Sequence, residues 1–157
     1  MPFNPQPRVL CVDDDEDSRE MLSTLLKLRQ IETKAVGTAT QALSLIQAEH
    51  FDLYLLDTWL PDLDGFELCR RMRDFDPHTP ILFFSGAAYD ADKKRGIEAG
   101  ANAYVIKPDV DGLLGSITQF VSHAESTTAT QTMRAGEDVS IPPRLPVLKR
   151  SCSSQGG

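Results

Sequence analysis

Charged side chains stand at the ends of three short apolar runs in this sequence. Asp13 and Asp14 follow the first run, Asp57 follows the second, and Lys107 follows the third. Carboxylates that share one site repel one another unless a cation joins them, and their oxygens suit a hard divalent cation, Mg²⁺ above all. A carboxylate can attack a phosphoryl group, and an ammonium group can neutralise phosphoryl oxygens. The pattern therefore predicts phosphoryl-transfer chemistry, with Asp57 as the nucleophile.

Ser85 follows a further apolar run and adds a hydroxyl donor to this set. Phosphoryl transfer depends on neutralising charge around three equatorial oxygens more than on acid–base chemistry. Main-chain N–H groups in the turns at 59–60 and 86–87 are further expected donors. Together these groups could contact every oxygen of a transferred phosphoryl group.

Each of these residues has a simpler explanation when it is taken alone. The acidic stretch 13–17 could serve only to favour the positive end of a helix dipole. Asp57 could be a cap at a strand end, Lys107 a solvated surface charge and Ser85 an ordinary loop serine. Their joint placement, at four of five predicted strand ends and in a consistent order, favours a shared site.

The elements that must position these residues alternate between strand and helix. Strands are predicted over 9–12, 33–36, 53–56, 81–84 and 103–106, and helices over 15–30, 40–49 with Thr40 as N-cap, 65–75, 90–99 and 111–123. Continuous apolar strands indicate a parallel sheet with helices on both faces. We expect a doubly wound α/β fold with a five-stranded parallel sheet in the order 2-1-3-4-5, which gathers the predicted site at one edge.

The composition predicts one core-bearing domain in this chain of 157 residues. We expect an N-terminal extension over 1–7, the domain over 8–123, and a disordered tail rich in Ser, Thr and Pro over 124–157. Residues 1–123 hold 12 Lys and Arg against 20 Asp and Glu. An acidic body disfavours nucleic acid as a direct ligand, and no apolar run approaches a membrane span, so we expect a cytoplasmic protein.

The motifs at the strand ends resemble the receiver domain of bacterial two-component response regulators. The matching stretches are 9–14, 56–65, 84–86 and 99–108. The resemblance implies a flavodoxin-like fold with Asp57 as the phosphoacceptor. It implies an Mg²⁺ site in which Asp14 is a direct ligand and Asp13 a mainly water-mediated one, completed by Asp57 and the main-chain carbonyl of Trp59.

The same resemblance implies a switch formed by Ser85 and Tyr104. The hydroxyl would turn toward the phosphoryl group while the aromatic ring moves inward, although Tyr104 could also be an ordinary half-buried aromatic residue. A cis peptide bond between Lys107 and Pro108 is implied as well. The implied partners are a histidine kinase or histidine phosphotransfer protein and a downstream protein that binds the face of helix 4, strand 5 and helix 5, with dimer formation on phosphorylation left open.

Two positions qualify the resemblance. Trp59 and Ala87 occupy the positions that flank the path of the attacking water in this family, and neither offers a side-chain acceptor, so we expect slow self-dephosphorylation. No helix-turn-helix or catalytic module follows residue 123. We therefore expect a single-domain regulator, similar to chemotaxis regulators, that acts through a protein partner or passes its phosphoryl group to a histidine.

Two other functions remain open from the sequence. One is a receiver-shaped scaffold that works without phosphorylation, although none of the expected site residues is missing. The other is an aspartate-dependent phosphohydrolase, which would need a second acidic residue two positions after the nucleophile, where this chain has Trp59. We expect a phosphoacceptor signalling domain rather than an enzyme.

Overall fold

The computed structural model describes the backbone of residues 5–134 and the side chains of residues 5–122. These residues form five strands and five helices in strict alternation. In chain order they are β1 (Arg8–Val12), α1 (Glu16–Leu28), β2 (Glu32–Val36), α2 (Ala39–Ala48), β3 (Leu53–Leu56), α3 (Gly65–Phe75), β4 (Ile81–Ser85), α4 (Asp90–Ala99), β5 (Ala103–Ile106) and α5 (Val110–Arg134).

The five strands make one parallel sheet in the order β2-β1-β3-β4-β5, which confirms the predicted doubly wound, flavodoxin-like arrangement. The chain divides into two units, residues 1–121 and residues 122–157. The first unit contains the whole sheet. Of the second unit, the structure describes the backbone of residues 122–134, which is helical, and the side chain of Ser122.

Each face of the sheet is covered by helices because nearly continuous apolar strands send alternate side chains to opposite sides. Leu10, Val12 and Phe83 pack on one face with buried side chains of α2 and α3. Val9 and Cys11 pack on the other face with buried side chains of α1 and α5. Burial on both faces fixes the register of the strands, and therefore also the positions of the residues just beyond them.

The ladder continues one hydrogen bond beyond the ends of three strands. The main-chain N–H of Asp13 donates to the carbonyl of Val36 at 3.1 Å, and that of Asp57 donates to Val12 at 2.9 Å. In the same way the N–H of Lys107 donates to the carbonyl oxygen at the end of β4 at 2.9 Å. The three charged residues are thus held by sheet hydrogen bonds rather than by flexible loops.

The N-cap of α2 differs from the prediction. Thr38, not Thr40, caps this helix, and its hydroxyl accepts a hydrogen bond from the N–H of Gln41 at 3.1 Å. Both threonines suit an N-cap, so residue type alone does not choose between them. The helix start is set by Ala39, which is buried in the core at the first helical position.

The last helix also differs from the prediction, which ended it at residue 123. Helix α5 runs to Arg134, so residues 124–134 are helical rather than part of an irregular tail. This stretch holds Ala, Glu, Gln and Met, and neither Gly nor Pro interrupts it, which is compatible with a helix. The tail predicted for residues 135–157 lies outside the described residues. Among the residues that the structure describes, no helix is long and apolar enough to cross a membrane.

Asp76 organises the turn between α3 and β4, at the edge of the sheet opposite the predicted site. One carboxylate oxygen accepts hydrogen bonds from the N–H groups of His78 and Thr79, and the other accepts from the hydroxyls of Tyr54 and Thr79. Burial alone would raise the pKa of Asp76, but these hydrogen bonds outweigh it and lower the pKa from 3.8 to about 2. The folded state therefore gains stability from this carboxylate above pH 3.8, and loses it as the pH falls toward 2.

Replacing Asp76 by asparagine should destabilise the protein at neutral pH by about 1–2 kcal/mol, because hydrogen bonds to a charged acceptor are lost. This corresponds to a fall in Tm of roughly 3–10 °C. The difference from the unmodified protein should shrink between pH 4 and pH 2 in thermal melts. The control Asp74→Asn, at an exposed position near the end of α3, should change Tm little. A difference for Asp76→Asn that stays constant from pH 2 to pH 7 would contradict the assignment.

Candidate functional site

The predicted acidic residues meet at the carboxyl edge of the sheet. Carboxylate oxygens of Asp13, Asp14 and Asp57 lie within 4.8 Å of one another. Asp13 and Asp57 are 3% and 8% exposed, while Asp14 is open to solvent. The Lys107 ammonium lies 2.9 Å from Oδ2 of Asp13 and 3.6 Å from Oδ2 of Asp57. The structure therefore brings together the four charged residues that the sequence predicted to be neighbours.

The electrostatics of this cluster are dominated by burial and by its excess of negative charge. Burial raises the pKa of Asp57, and Asp13 adds to the increase while Lys107 opposes it. Burial by itself would lower the pKa of Lys107, but the nearby carboxylates outweigh this effect and raise it. Three carboxylates face one ammonium group, and all the ligand atoms are oxygens. This donor set fits a hard divalent cation.

Hydrogen bonds from the start of α1 fix Asp13. Asp15 is the N-cap of α1 and accepts a hydrogen bond from the N–H of Ser18 at 2.9 Å. Its own N–H donates to Oδ1 of Asp13 at 2.9 Å, and the Arg19 guanidinium donates to the main-chain carbonyl of Asp13 at 2.8 Å. The simple helix-terminus explanation of the acidic stretch thus fits Asp15, while Asp13 faces the cluster.

Ser85 lies fully buried at the end of β4, where its hydroxyl has two partners. The hydroxyls of Ser85 and Thr58 are 2.5 Å apart, and Ser85 Oγ also accepts the N–H of Ala87 at 3.1 Å. Thr58 follows Asp57 directly and donates its N–H to Oδ1 of Asp57 at 2.7 Å. Ser85 is therefore connected to the nucleophile candidate through Thr58, and the N–H of Ala87 is engaged within the protein.

Tyr104 is half-buried on β5, and its hydroxyl donates to the main-chain carbonyl of Ala87 at 2.7 Å. Its ring stacks on Phe83 with centroids 5.5 Å apart. Gly96 of α4 makes room for this stack, because a Cβ atom there would lie 2.9 Å from the Tyr104 ring. Since the loop at Ala87 also donates to Ser85, it connects the two residues predicted to form a switch.

The loop between β3 and α3 begins at the acidic cluster. Trp59 is 62% exposed in this loop, two residues after Asp57. The N–H of Gly65 donates to the carbonyl of Thr58 at 2.8 Å, and a Cβ atom on Gly65 would overlap the main-chain carbonyl oxygen of Asp57. The absence of a side chain at residue 65 thus allows α3 to start directly against the candidate phosphoacceptor.

Sequence reasoning missed three contributors to this site. Thr58 bonds both Asp57 and Ser85, Arg19 holds the carbonyl of Asp13, and Gly65 permits the close approach of α3. Only Gly65 carries a usable local signal, because a glycine at a helix start often marks a close backbone approach. The peptide bond between Lys107 and Pro108 is cis, as the resemblance implied.

A family model described as the response regulator receiver domain matches residues 9–118. The chain belongs to this family, and it contains a receiver domain of a two-component response regulator. The match covers every residue of the acidic cluster together with Lys107, Ser85 and Tyr104.

Curated relatives include the probable transcriptional regulator ycf27 of Cyanophora paradoxa, which is 32% identical over 135 residues, or 85% of this chain and 56% of that protein. The DNA-binding response regulator MtrA of Mycobacterium tuberculosis is 38% identical over 101 residues, or 64% of this chain and 44% of that protein. The chain thus spans about half the length of the curated relatives it matches.

Solved structures show the same likeness in three dimensions. A CheY-like response regulator receiver domain protein from Methanospirillum hungatei is 30% identical with a TM-score of 0.73, over 77% of this chain and 98% of that chain. The receiver domain of the Francisella response regulator 1452 is 27% identical with a TM-score of 0.72, over 76% of this chain and 99% of that chain.

Replacing Gly65 by alanine should destabilise the fold by about 1–3 kcal/mol, because the added methyl group forces the main chain at Asp57 to move. Urea unfolding measures this change. The control Gly115→Ala adds a methyl group where nothing lies within 4 Å, and should be neutral or stabilising by up to about 1 kcal/mol through helix propensity. Equal behaviour of the two variants would show that the close approach at residue 65 does not matter.

Proposed function

We propose that this protein accepts a phosphoryl group on Asp57 from a phosphohistidine and that phosphorylation switches its binding to a partner. The observation that carries the proposal is the placement of the buried Asp57 carboxylate, 3.6 Å from the Lys107 ammonium and beside Asp13 and Asp14. A nucleophile, a positive group and an oxygen-rich cation site are the parts that phosphoryl transfer to a carboxylate requires.

In the proposed reaction an Asp57 carboxylate oxygen attacks the phosphorus of the donor. The new O–P bond forms as the P–N bond to the donor histidine breaks, and the imidazole nitrogen keeps the electron pair and takes a proton from solvent. Lys107 neutralises charge on the transferred oxygens. Thr58 orients Asp57 through the 2.7 Å hydrogen bond from its N–H.

Asp13, Asp14, Asp57 and the main-chain carbonyl of Trp59 are the residues proposed to hold Mg²⁺. When bound, the cation supplies charge neutralisation on the phosphoryl oxygens. The support is the donor set itself, since three carboxylate oxygens that lie within 4.8 Å of one another are costly to keep ionised without a cation.

The proposed switch uses the loop at Ala87. The Ser85 side chain would turn so that its hydroxyl donates to a phosphoryl oxygen on Asp57, and this turn would move Oγ away from the N–H of Ala87, whose hydrogen bond it now accepts. The carbonyl of Ala87 accepts the Tyr104 hydroxyl, so a shift of this loop would change the hydrogen bonding of Tyr104. Phosphorylation would in this way bias an equilibrium between two arrangements of the same residues.

The proposed phosphodonor is a histidine kinase or a histidine phosphotransfer protein, and the proposed readout surface is the face of α4, β5 and α5. A cleft of about 320 Å³ lies on this face and is lined by Tyr104, Lys93 and Asp109 among others. A change in the position of Tyr104 would therefore alter the surface that a bound partner protein, or a second copy of the chain, contacts there. The acidic body fits a protein partner in the cytoplasm better than nucleic acid.

Asp57→Asn should abolish the gain of one phosphoryl group that intact mass shows after incubation with a small-molecule phosphodonor and Mg²⁺. The unmodified protein should gain it only with Mg²⁺, because Asp57 supplies the attacking oxygen and the cation neutralises the transferred group. Asp74→Asn, far from the site, should be modified normally. A gain that persists in Asp57→Asn, or that is equal without Mg²⁺, would contradict the assignment.

The acyl phosphate on Asp57 should be hydrolysed slowly, with a lifetime of minutes or longer, because neither Trp59 nor Ala87 offers a side-chain acceptor to orient water. Trp59→Asn supplies such a group and should shorten the lifetime several-fold when intact mass is followed over time. Trp59→Ala serves as the control for bulk alone. A half-life of seconds in the unmodified protein would refute the hypothesis, and equal acceleration in both variants would assign the effect to bulk.

A further inference from the structure

Asp62 joins the loop after the phosphoacceptor to a helix that is distant in sequence. Its Oδ1 accepts the N–H of Ala39 at 2.9 Å, and its Oδ2 accepts the N–H and the hydroxyl of Thr40 at 2.9 and 2.6 Å. These hydrogen bonds lower the pKa of Asp62 to about 2. A carboxylate of the β3–α3 loop thus completes the first turn of α2 from outside.

The helix start that Asp62 holds is tied to the other side of the acidic cluster. Val36, at the end of β2, accepts the N–H of Asp13 at 3.1 Å, and the chain reaches Ala39 three residues later. Asp57 in turn donates its N–H to the carbonyl of Val12, which is the last residue of β1 and directly precedes Asp13. The hydrogen bonds of Asp62 therefore close a ring that runs from Asp57 through the loop and α2 back to Asp13.

The loop side chains Leu60 and Leu63 pack against the core, while its other hydrogen bonds lie near its two ends. The hydroxyl of Thr58 bonds that of Ser85, and the carbonyl of Thr58 accepts the N–H of Gly65. Asp64 caps α3 by accepting the N–H of Glu67 at 2.8 Å. Among the described residues, the side-chain hydrogen bonds from this loop to α2 all come from Asp62. We propose that Asp62 is a positioning residue, which fixes the main chain at Trp59 relative to Asp13 and so preorganises the cation site.

The part of this inference that concerns the cation rests on the proposed function. The part that concerns the position of the loop does not. The simpler explanation is that Asp62 only caps α2 and thereby stabilises the folded state. Thr38 provides the matched comparison, because it caps the same helix from within and makes no bond to the loop in the described structure. Outer residues that orient metal ligands typically change metal affinity by about 10–100-fold when they are removed.

The test compares Asp62→Ala with Thr38→Ala in the full chain by two measurements. Hydrogen exchange of residues 58–64 without Mg²⁺ should become faster in Asp62→Ala and stay unchanged in Thr38→Ala, while both variants lose thermal stability to a similar extent. In calorimetric titrations the Kd for Mg²⁺ should rise about tenfold in Asp62→Ala and less than twofold in Thr38→Ala. Asp62→Asn keeps one acceptor oxygen and should give an intermediate Kd.

The outcomes separate the two proposals. If the unmodified protein binds Mg²⁺ and both alanine variants bind it equally well, Asp62 is only a helix cap and the inference is overturned. If the unmodified protein does not bind Mg²⁺, the proposed function loses its cation site and the effect on the cation fails with it. Faster loop exchange confined to Asp62→Ala would still support the positioning of the loop by this residue.

Discussion

The clustering of three carboxylates beside one ammonium group, which pairs with only two of them, is the constraint on which the rest of this structure depends. Two like charges about 4 Å apart repel by roughly 4 kcal/mol at the effective dielectric of a protein surface. Asp13 and Asp57 remain close because sheet hydrogen bonds fix their main chains, and strand burial on both faces fixes the sheet. The hydrophobic layers thus offset an electrostatic cost at the edge of the sheet.

The strands and charged residues that form this site could be predicted because they depend on short-range patterns in the sequence. An apolar run that stops at a charged residue marks both a buried strand and its end, so the sequence alone places Asp13, Asp57 and Lys107 at strand ends. Gly100 closes α4 with a left-handed φ of 118°, as a glycine at a helix end suggests. The strand order was expected from the right-handedness of parallel connections and from the ligand crevice that forms where the strand order reverses.

Contacts between residues far apart in sequence could not be predicted in the same way. The pairing of Thr58 with Ser85 depends on the register of two neighbouring strands, and the contact between Asp62 and Thr40 depends on how a loop crosses a helix start. In neither pair does the residue type indicate the partner, since short polar residues are also common in ordinary loops. The choice between Thr38 and Thr40 as a cap was likewise decided by burial of the neighbouring helix residue, a tertiary effect.

The loop at Ala87 has one more consequence. Its N–H and its carbonyl belong to two successive peptide planes, and those planes are joined only by the φ and ψ torsions of this one residue. Any rotation that frees the N–H from Ser85 must be absorbed there or passed on to the plane that accepts Tyr104. In the proposed switch, a phosphoryl group on Asp57 would therefore reach Tyr104 as a change in two dihedral angles of Ala87. Both hydrogen bonds use main-chain atoms of residue 87, so a change of its side chain leaves them in place unless the new residue is proline, which would remove the N–H.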